Sequence, residues 1–183
     1  MLLPLLPLPP NECPNVGGVR ALRVWPASNV RPLPAEPGSN LLLPVQLLDP
    51  GNYADIWFQP DSASFEEPEA DDAQSPFYKP NLQLVVLRDA PDLQEAIARL
   101  RAVRHFVAAY ADGNGLTKLV GTPTHPLRFS AGLETGKKPT DRNGYPLVFA
   151  GLTPRPAPFT LLQPAGTPPV RRAFSSGFSF GFN

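Results

Sequence analysis

His105-Phe106-Val107-Ala108-Ala109-Tyr110-Ala111, then Asp112-Gly113-Asn114-Gly115, then Leu116-Thr117-Lys118-Leu119-Val120-Gly121, is the stretch that decides the fold. Runs rich in β-branched and aromatic residues flank a tip in which Asp-Gly and Asn-Gly supply the positive φ that tight hairpin turns demand. The segment has neither the lysine-serine ending of a phosphate-cradling loop nor the carboxylate ladder of a calcium loop, so its glycines read as turn chemistry. A β-hairpin is predicted here.

Working outward, residues 127–133 and 145–152 read as further strands, joined by a polar loop at 134–144. Before the hairpin, Asp89-Ala90-Pro91-Asp92 opens a helix of about 91–103. Pro91 suits the first turn, Asp92 and Glu95 the positive end, and Arg99, Arg101 and Arg104 the negative end. Leu93, Ala96, Ile97, Leu100 and Val103 make one apolar stripe. The arginine-rich face opposite reads as solvated rather than as an anion site. Leu82-Gln83-Leu84-Val85-Val86-Leu87 is short and apolar enough to be a central strand.

The first third is punctuated by proline, of which the chain has 26, and this pattern excludes a helical protein and favours short strands with ordered loops. Strands are expected at 19–25, at 40–48 broken by Pro44, and at 54–59. The run 65–72, with Glu66, Glu67, Glu69, Asp71 and Asp72, is expected to be a solvated loop or a charged inter-subunit rim. It lacks the ligand spacing and turn glycine of a calcium site. Trp25, Trp57, Phe106, Phe129 and Phe149 are the expected core aromatics.

A chain of 183 residues fits one domain. Hydrophobic residues make up 42% and charged residues 17%, which suits a chain that buries surface against a neighbour. Lys+Arg and Asp+Glu balance at 16 each, so no basic field favours nucleic acid, and no sequence-specific nucleic-acid partner is expected. The single Cys13 gives no internal disulfide and reads as a small hydrophobe. Residues 1–10 (Met1-Leu2-Leu3-Pro4-Leu5-Leu6-Pro7-Leu8-Pro9-Pro10) are apolar, but without a basic leader and interrupted by proline, so neither a signal peptide nor a membrane helix is expected. They read as an extended arm able to lie along a neighbouring subunit, or as a frayed terminus. At the other end, Phe178, Phe180 and Phe182 alternate with Ser and Gly. They would share one face of a strand added to a neighbour's sheet, or belong to an unstructured tail. The organisation is an arm at 1–18, a domain at 19–163 and a tail at 164–183. The fold class is mainly β, an antiparallel sandwich or barrel with one short α-helix.

The catalytic inventory is thin. His105 and His125 stand apart from any metal-ligand spacing, no nucleophile motif is present, and Asp112 and Asp141 sit in turns where aspartate serves the backbone. No catalytic residue, metal ligand or cofactor site is predicted, and the chain is read as a structural or binding protein rather than an enzyme.

Tyr110-Ala111-Asp112-Gly113-Asn114-Gly115-Leu116-Thr117-Lys118-Leu119-Val120-Gly121-Thr122-Pro123, Thr135-Gly136-Lys137, and Thr140-Asp141-Arg142-Asn143-Gly144-Tyr145-Pro146-Leu147-Val148-Phe149 together resemble small structural proteins of phages and prophages of Bacteroidetes-type bacteria. In those, a helix precedes a D-x-N-G…L-(I/V)-G hairpin and an S/T-G-K…D-R-N-G-Y…F strand pair. Cys13-Pro14-Asn15-Val16-Gly17-Gly18-Val19 is similar to their N-P-G-G opening. The resemblance covers roughly the last half of the folded region plus this N-terminal patch, and its motifs are turn chemistry. It implies a tail component whose rings form the tail tube or its adaptors. Its partners would be copies of itself in a ring or tube and other virion proteins, with no membrane partner. Assembly would take place in the bacterial host cytoplasm and the protein would reside in the virion. A head-tail connector, neck or capsid-associated role is the alternative. Subunit contacts are expected at Lys137, Lys138 and Arg142 in the 134–144 loop and at Phe178, Phe180 and Phe182. The proline-rich arm and the phenylalanine-rich tail depart from the family pattern. Two rivals of other classes make distinct demands. A carbohydrate- or surface-binding module needs an exposed aromatic platform, for which Trp57-Phe58 beside Tyr53 is the candidate. A small hydrolase needs His105 or His125 beside a carboxylate and a nucleophile.

Overall fold

The computed structural model describes residues 16–31, 46–72, 75–87, 89–137, 143–160, 162 and 164. The expected arm up to residue 15, the strand residues 40–45, Lys138, Arg142 and the tail with Phe178, Phe180 and Phe182 lie outside the described residues. The chain is mainly antiparallel β. In order, the elements are β1 (Val19–Pro26), β2 (Ala54–Asp55), β3 (Ser64–Glu66), β4 (Glu69–Asp72), β5 (Ser75–Tyr78), β6 (Asn81–Leu87), α1 (Pro91–Val103), β7 (His105–Asp112), β8 (Thr117–Val120), β9 (Leu127–Ala131) and β10 (Gly144–Ala150). Among the described residues an eight-stranded sheet runs β2-β1-β7-β9-β10-β6-β3, with β8 also on β7, while β4 and β5 pair only with each other.

The predicted hairpin is β7–β8, Ala108 opposite Val120 and Ala111 opposite Thr117, and its turn places Gly115 at φ 82°. β7 is apolar because both of its faces are buried. Side chains alternate across a strand, so Phe106, Ala108 and Tyr110 enter one core and Val107 and Ala109 a second. The first core also receives Leu82 and Leu84 from β6, Leu127 and Phe129 from β9, and Tyr145, Leu147 and Phe149 from β10. The second, on the outer face of β1 and β7, holds Trp25 with Ala27, Val30 and Leu119. A register shift between Val19 and Ala21 interrupts the alternation of β1. This lets Val19 and Leu22, three residues apart, share the first core.

α1 matches the predicted bounds. Pro91 follows an extended Ala90, and the helix stops where Arg104 turns to φ 65°. Its stripe is narrower than expected: Ile97 is buried and Leu93 and Leu100 are partly so, whereas Ala96 and Val103 are exposed, so the helix turns a single ridge inward.

Four expectations are corrected. The acidic run 65–72 is not a loop. Phe65 turns inward onto the Tyr110 ring, 4.7 Å between centroids, which carries β3 into the ladder with β6, and Glu69–Asp72 forms β4. The 54–59 strand is a ladder only at β2, the rest following as extended chain. Trp57 is not core: it is 72% exposed, while Trp25, Phe106, Phe129 and Phe149 are buried as expected. β6 is interior, flanked by β10 and β3, though one place from the edge rather than central.

The two edge strands of the large sheet belong to one continuous stretch. After β2 pairs with β1, the Ile56 amide donates to Leu22 O (3.0 Å) and the Gln59 amide to Val85 O (3.1 Å). The Val19 amide donates to Ala63 O (3.3 Å) before β3 joins β6. The sheet therefore curls until both edges meet on residues 54–66, a seam that closes the barrel and leaves little free edge.

Candidate functional site

The seam carries the most developed surface feature. Ala54, Ile56 and Phe58 pack against the first core. In extended chain the residues between them face the other way, so Tyr53, Asp55 and Trp57 form a row on the outer face. Tyr53 is 43% exposed and Trp57 72%. Between them, Asp55 lies opposite Arg23 of β1 and accepts from Arg23 Nε at 2.6 Å and from an Arg23 terminal nitrogen at 2.8 Å. This fork is shielded, at 18% and 19% side-chain exposure, and the Asp55 hydrogen bond holds the Arg23 guanidinium above its ordinary pKa. The same guanidinium lies 4.1 Å from the Tyr53 ring centroid. The ion pair thus fixes the ring on one side and joins strands across the seam on the other. The row is preorganised: one aromatic is braced by a neutralised pair, and the second stands free in water. An exposed tryptophan forgoes on the order of 2 kcal/mol of burial, which marks a surface that another molecule or segment can cover.

Sequence reasoning noticed Tyr53 and Trp57 but also placed Trp57 inside. The signal that separates these readings is the alternation of Tyr53-Ala54-Asp55-Ile56-Trp57-Phe58, in which a carboxylate shares the parity of both outward rings. The Arg23–Asp55 pairing joins segments distant in sequence and carries no local mark.

Of the expected subunit contacts, Lys137 is exposed in the loop between β9 and β10. The base of that loop is pinched by reciprocal bonds between Glu134 and Gly144, both 3.0 Å. His105 lines an open groove of about 690 Å³ with Ala27, Ser28, Val30, Arg31, Leu48, Val103 and prolines. No carboxylate is among those residues. His125 Nδ1 meets the Thr124 hydroxyl at 3.1 Å in an exposed turn. No group of His, Cys, Asp and Glu suited to a metal is found among the described residues.

A second feature is the β4–β5 hairpin. It is tied to the body by the Lys79 amide on Pro68 O (2.9 Å) and by reciprocal Tyr78–Thr153 bonds of 2.8 and 2.9 Å. At its foot the half-buried Glu67 carboxylate accepts the Ala157 amide at 2.9 and 3.1 Å. Burial raises the Glu67 pKa, and the Ala157 bond works against that rise. Tyr110 beneath it is pushed up by burial and by Asp112 and Glu67.

The fold defines a mainly antiparallel β domain with one described helix, and no described helix is long and apolar enough to cross a membrane. No protein-family model matches the chain, and neither a curated protein nor a solved structure matches it.

Proposed function

We propose that this chain is a non-enzymatic structural subunit that assembles with copies of itself, as a component of a bacteriophage tail tube or an adjoining ring. The observation that carries the assembly reading is the β4–β5 hairpin, which among the described residues pairs with no other strand. An isolated two-stranded ribbon is marginal in water, and a neighbouring subunit that receives it would supply the missing contact. Low charge and the resemblance of the hairpin and 134–144 motifs to phage structural proteins support the same reading. A heterologous contact of this kind repeats around a ring.

The test is mass photometry and negative-stain microscopy across a concentration series, for the native chain and for a variant with Phe77→Asp at the hairpin. Rings or tubes that grow with concentration in the native chain and weaken in the variant support the proposal. A chain that stays monomeric at every concentration refutes it.

A second reading is favoured by the Tyr53–Trp57 row: a β-sandwich carbohydrate- or surface-binding module, whose rings would stack on apolar faces of sugars. Retention on immobilised glycans that is lost in Trp57→Ala would favour it over assembly.

A further inference from the structure

We infer that the β4–β5 hairpin of one copy docks in the arginine-rimmed groove beside His105 of the next copy, acid against base around a ring. The inference rests on the assembly proposal and names the two surfaces that meet.

The ladder register places both surfaces. At one rim of the barrel His105 lies opposite Arg128, Arg128 opposite Ala150, Ala150 opposite Asn81 and Asn81 opposite Glu66. Register partners share a face. The residues that alternate with this row, among them Phe106, Leu127, Phe149 and Leu82, belong to the first core, so the row runs round the outside. Arg128 and Glu66 are both exposed. They stand three strand spacings apart, about 14 Å, too far to pair within one chain and beyond a Debye length of about 10 Å. In the sheet order β3 is four steps from β7 through β9, β10 and β6, and three steps through β1, β2 and the seam. The basic and acidic ends therefore stand on opposite flanks of the barrel, where a repeating contact between copies brings them together.

The basic flank has the form of a receptor. Its groove of about 690 Å³ counts Arg31 and His105 among its lining residues and no carboxylate. That volume falls within the range of about 300–1,000 Å³ usual for binding sites. Arg104 joins two lining residues, Val103 and His105, in sequence. The apolar lining is accessible, Leu48 being 58% exposed and Val103 42%. Among the described residues the ion pairs are those of Arg20, Arg23 and Arg99, which leaves Arg31, Arg104 and Arg128 without a carboxylate.

The hairpin supplies the complement. Residues 64–79 carry five carboxylates (Glu66, Glu67, Glu69, Asp71 and Asp72) and one base, Lys79, a net of −4. Glu67 is taken up by the Ala157 amide, while Glu66 and Glu69 are exposed. Register sets Glu69 with Tyr78 on one face of the ribbon and Ala70 with Phe77 on the other. The ribbon thus offers carboxylates to the arginine rim and a ring to Leu48 and Val103. Over the whole chain 16 basic residues balance 16 acidic ones, so charge is separated rather than in excess. Each copy carries both halves of the contact, which favours a second copy as the occupant.

The experiment is charge reversal read by mass photometry across a concentration series of the full chain. Glu66→Arg/Glu69→Arg reverses the acidic flank and Arg31→Glu/Arg128→Glu the basic one. Either reversal alone sets like charge against like and is expected to raise the assembly midpoint by about tenfold or more. An equal mixture of the two reversed chains pairs opposite charges at every contact, so its midpoint should return to near that of the native chain. Such rescue also certifies that both variants fold. A basic-flank reversal that leaves the midpoint unchanged overturns the inference, as does a mixture of folded variants that stays as dissociated as either one alone. If circular dichroism shows a reversed chain unfolded, the native chain decides. Raising salt from 50 mM to 500 mM should weaken its assembly several-fold, and a midpoint indifferent to salt overturns the inference. Assembly of the native chain that ignores these changes places the contact elsewhere and leaves the assembly proposal standing, whereas a native chain monomeric at every concentration removes both.

Discussion

Two aromatic residues of similar size mark opposite extremes of what a side chain does here. Phe149 is fully buried, its ring 5.7 Å from Phe106 at 88° and 5.0 Å from Phe129, so Phe149→Ala leaves a cavity and is expected to cost about 3–5 kcal/mol. Trp57→Ala removes a ring that stands mostly in water and should change urea stability by no more than about 0.5 kcal/mol where nothing covers it. A larger loss in the full chain would itself signal that something does. Among carboxylates, Asp89 accepts from Gln94 Nε2 at 2.9 Å and from the Tyr145 hydroxyl at 2.7 Å. These bonds, Gln94 first, hold its pKa below the ordinary aspartate value. A folded pKa below the unfolded one means stability that is present above the unfolded aspartate's titration and lost as pH falls through the folded value. Glu67, raised by burial, runs the other way, its contribution being lost as pH rises from the unfolded glutamate value through the folded one. Asp89→Asn should therefore flatten the acid limb of a urea-midpoint against pH curve while lowering the neutral plateau. An acid limb identical to that of the native chain would remove Asp89 from the account.

At the scale of elements, the β10–β6 ladder ends where a side chain does not fit. A Cβ on Gly144 would lie 2.5 Å from Val86 O, backbone that cannot move without breaking the rung, whereas at Gly132 the nearest atom is Pro146 Cγ at 3.8 Å. Gly144→Ala is thus expected to cost about 1–3 kcal/mol and Gly132→Ala far less, compared by thermal unfolding. Equal effects would mean that the ladder frays before Gly144. The same contrast shows what the sequence makes readable. The β7–β8 hairpin and α1 announce themselves through residues close in sequence, Asp112 to Gly115 in one case and Pro91 with its apolar spacing in the other. The seam does not. β2 has only two ladder residues, β3 enters the sheet through one inward phenylalanine in an acidic run, and the β1–β7 pairing joins Trp25 to Val107 with nothing local to predict it. For the candidate site, the ring residues were visible but their direction was not, because direction comes from the parity of Ala54, Ile56 and Phe58 against a core assembled from distant strands. Lys137 was legible as exposed, since a polar loop between strands has nowhere else to go.

Over the whole molecule, closure and cohesion come from different places. β7 is flanked by β1 on one side and by β8 and β9 on the other and is buried on both faces, so its amides can exchange with solvent only when the barrel is lost. The Ile56 and Gln59 bonds are isolated rungs between stretches of ladder, the first beside the Arg23–Asp55 fork and the second beside the Ser62 hydroxyl, and such bonds open without global unfolding. Native-state hydrogen exchange should therefore separate them. Val107 and Ala109 should follow the global free energy, about 5–15 kcal/mol for a domain of this kind, with strong denaturant dependence. Ile56 and Gln59 should exchange through a cheaper opening that depends little on denaturant. Asp55→Asn weakens a charge-assisted pair worth about 1.5–3 kcal/mol, so it should speed Ile56 exchange by about tenfold or more while changing Val107 much less. If all four amides converge on one exchange free energy in both proteins, the seam belongs to the same cooperative unit as β7, and the row of Tyr53 and Trp57 would be as rigid as the core beneath it. If they separate, the barrel has a built-in opening line at the place where its exposed aromatic residues stand, and whatever covers that row would also hold the barrel shut.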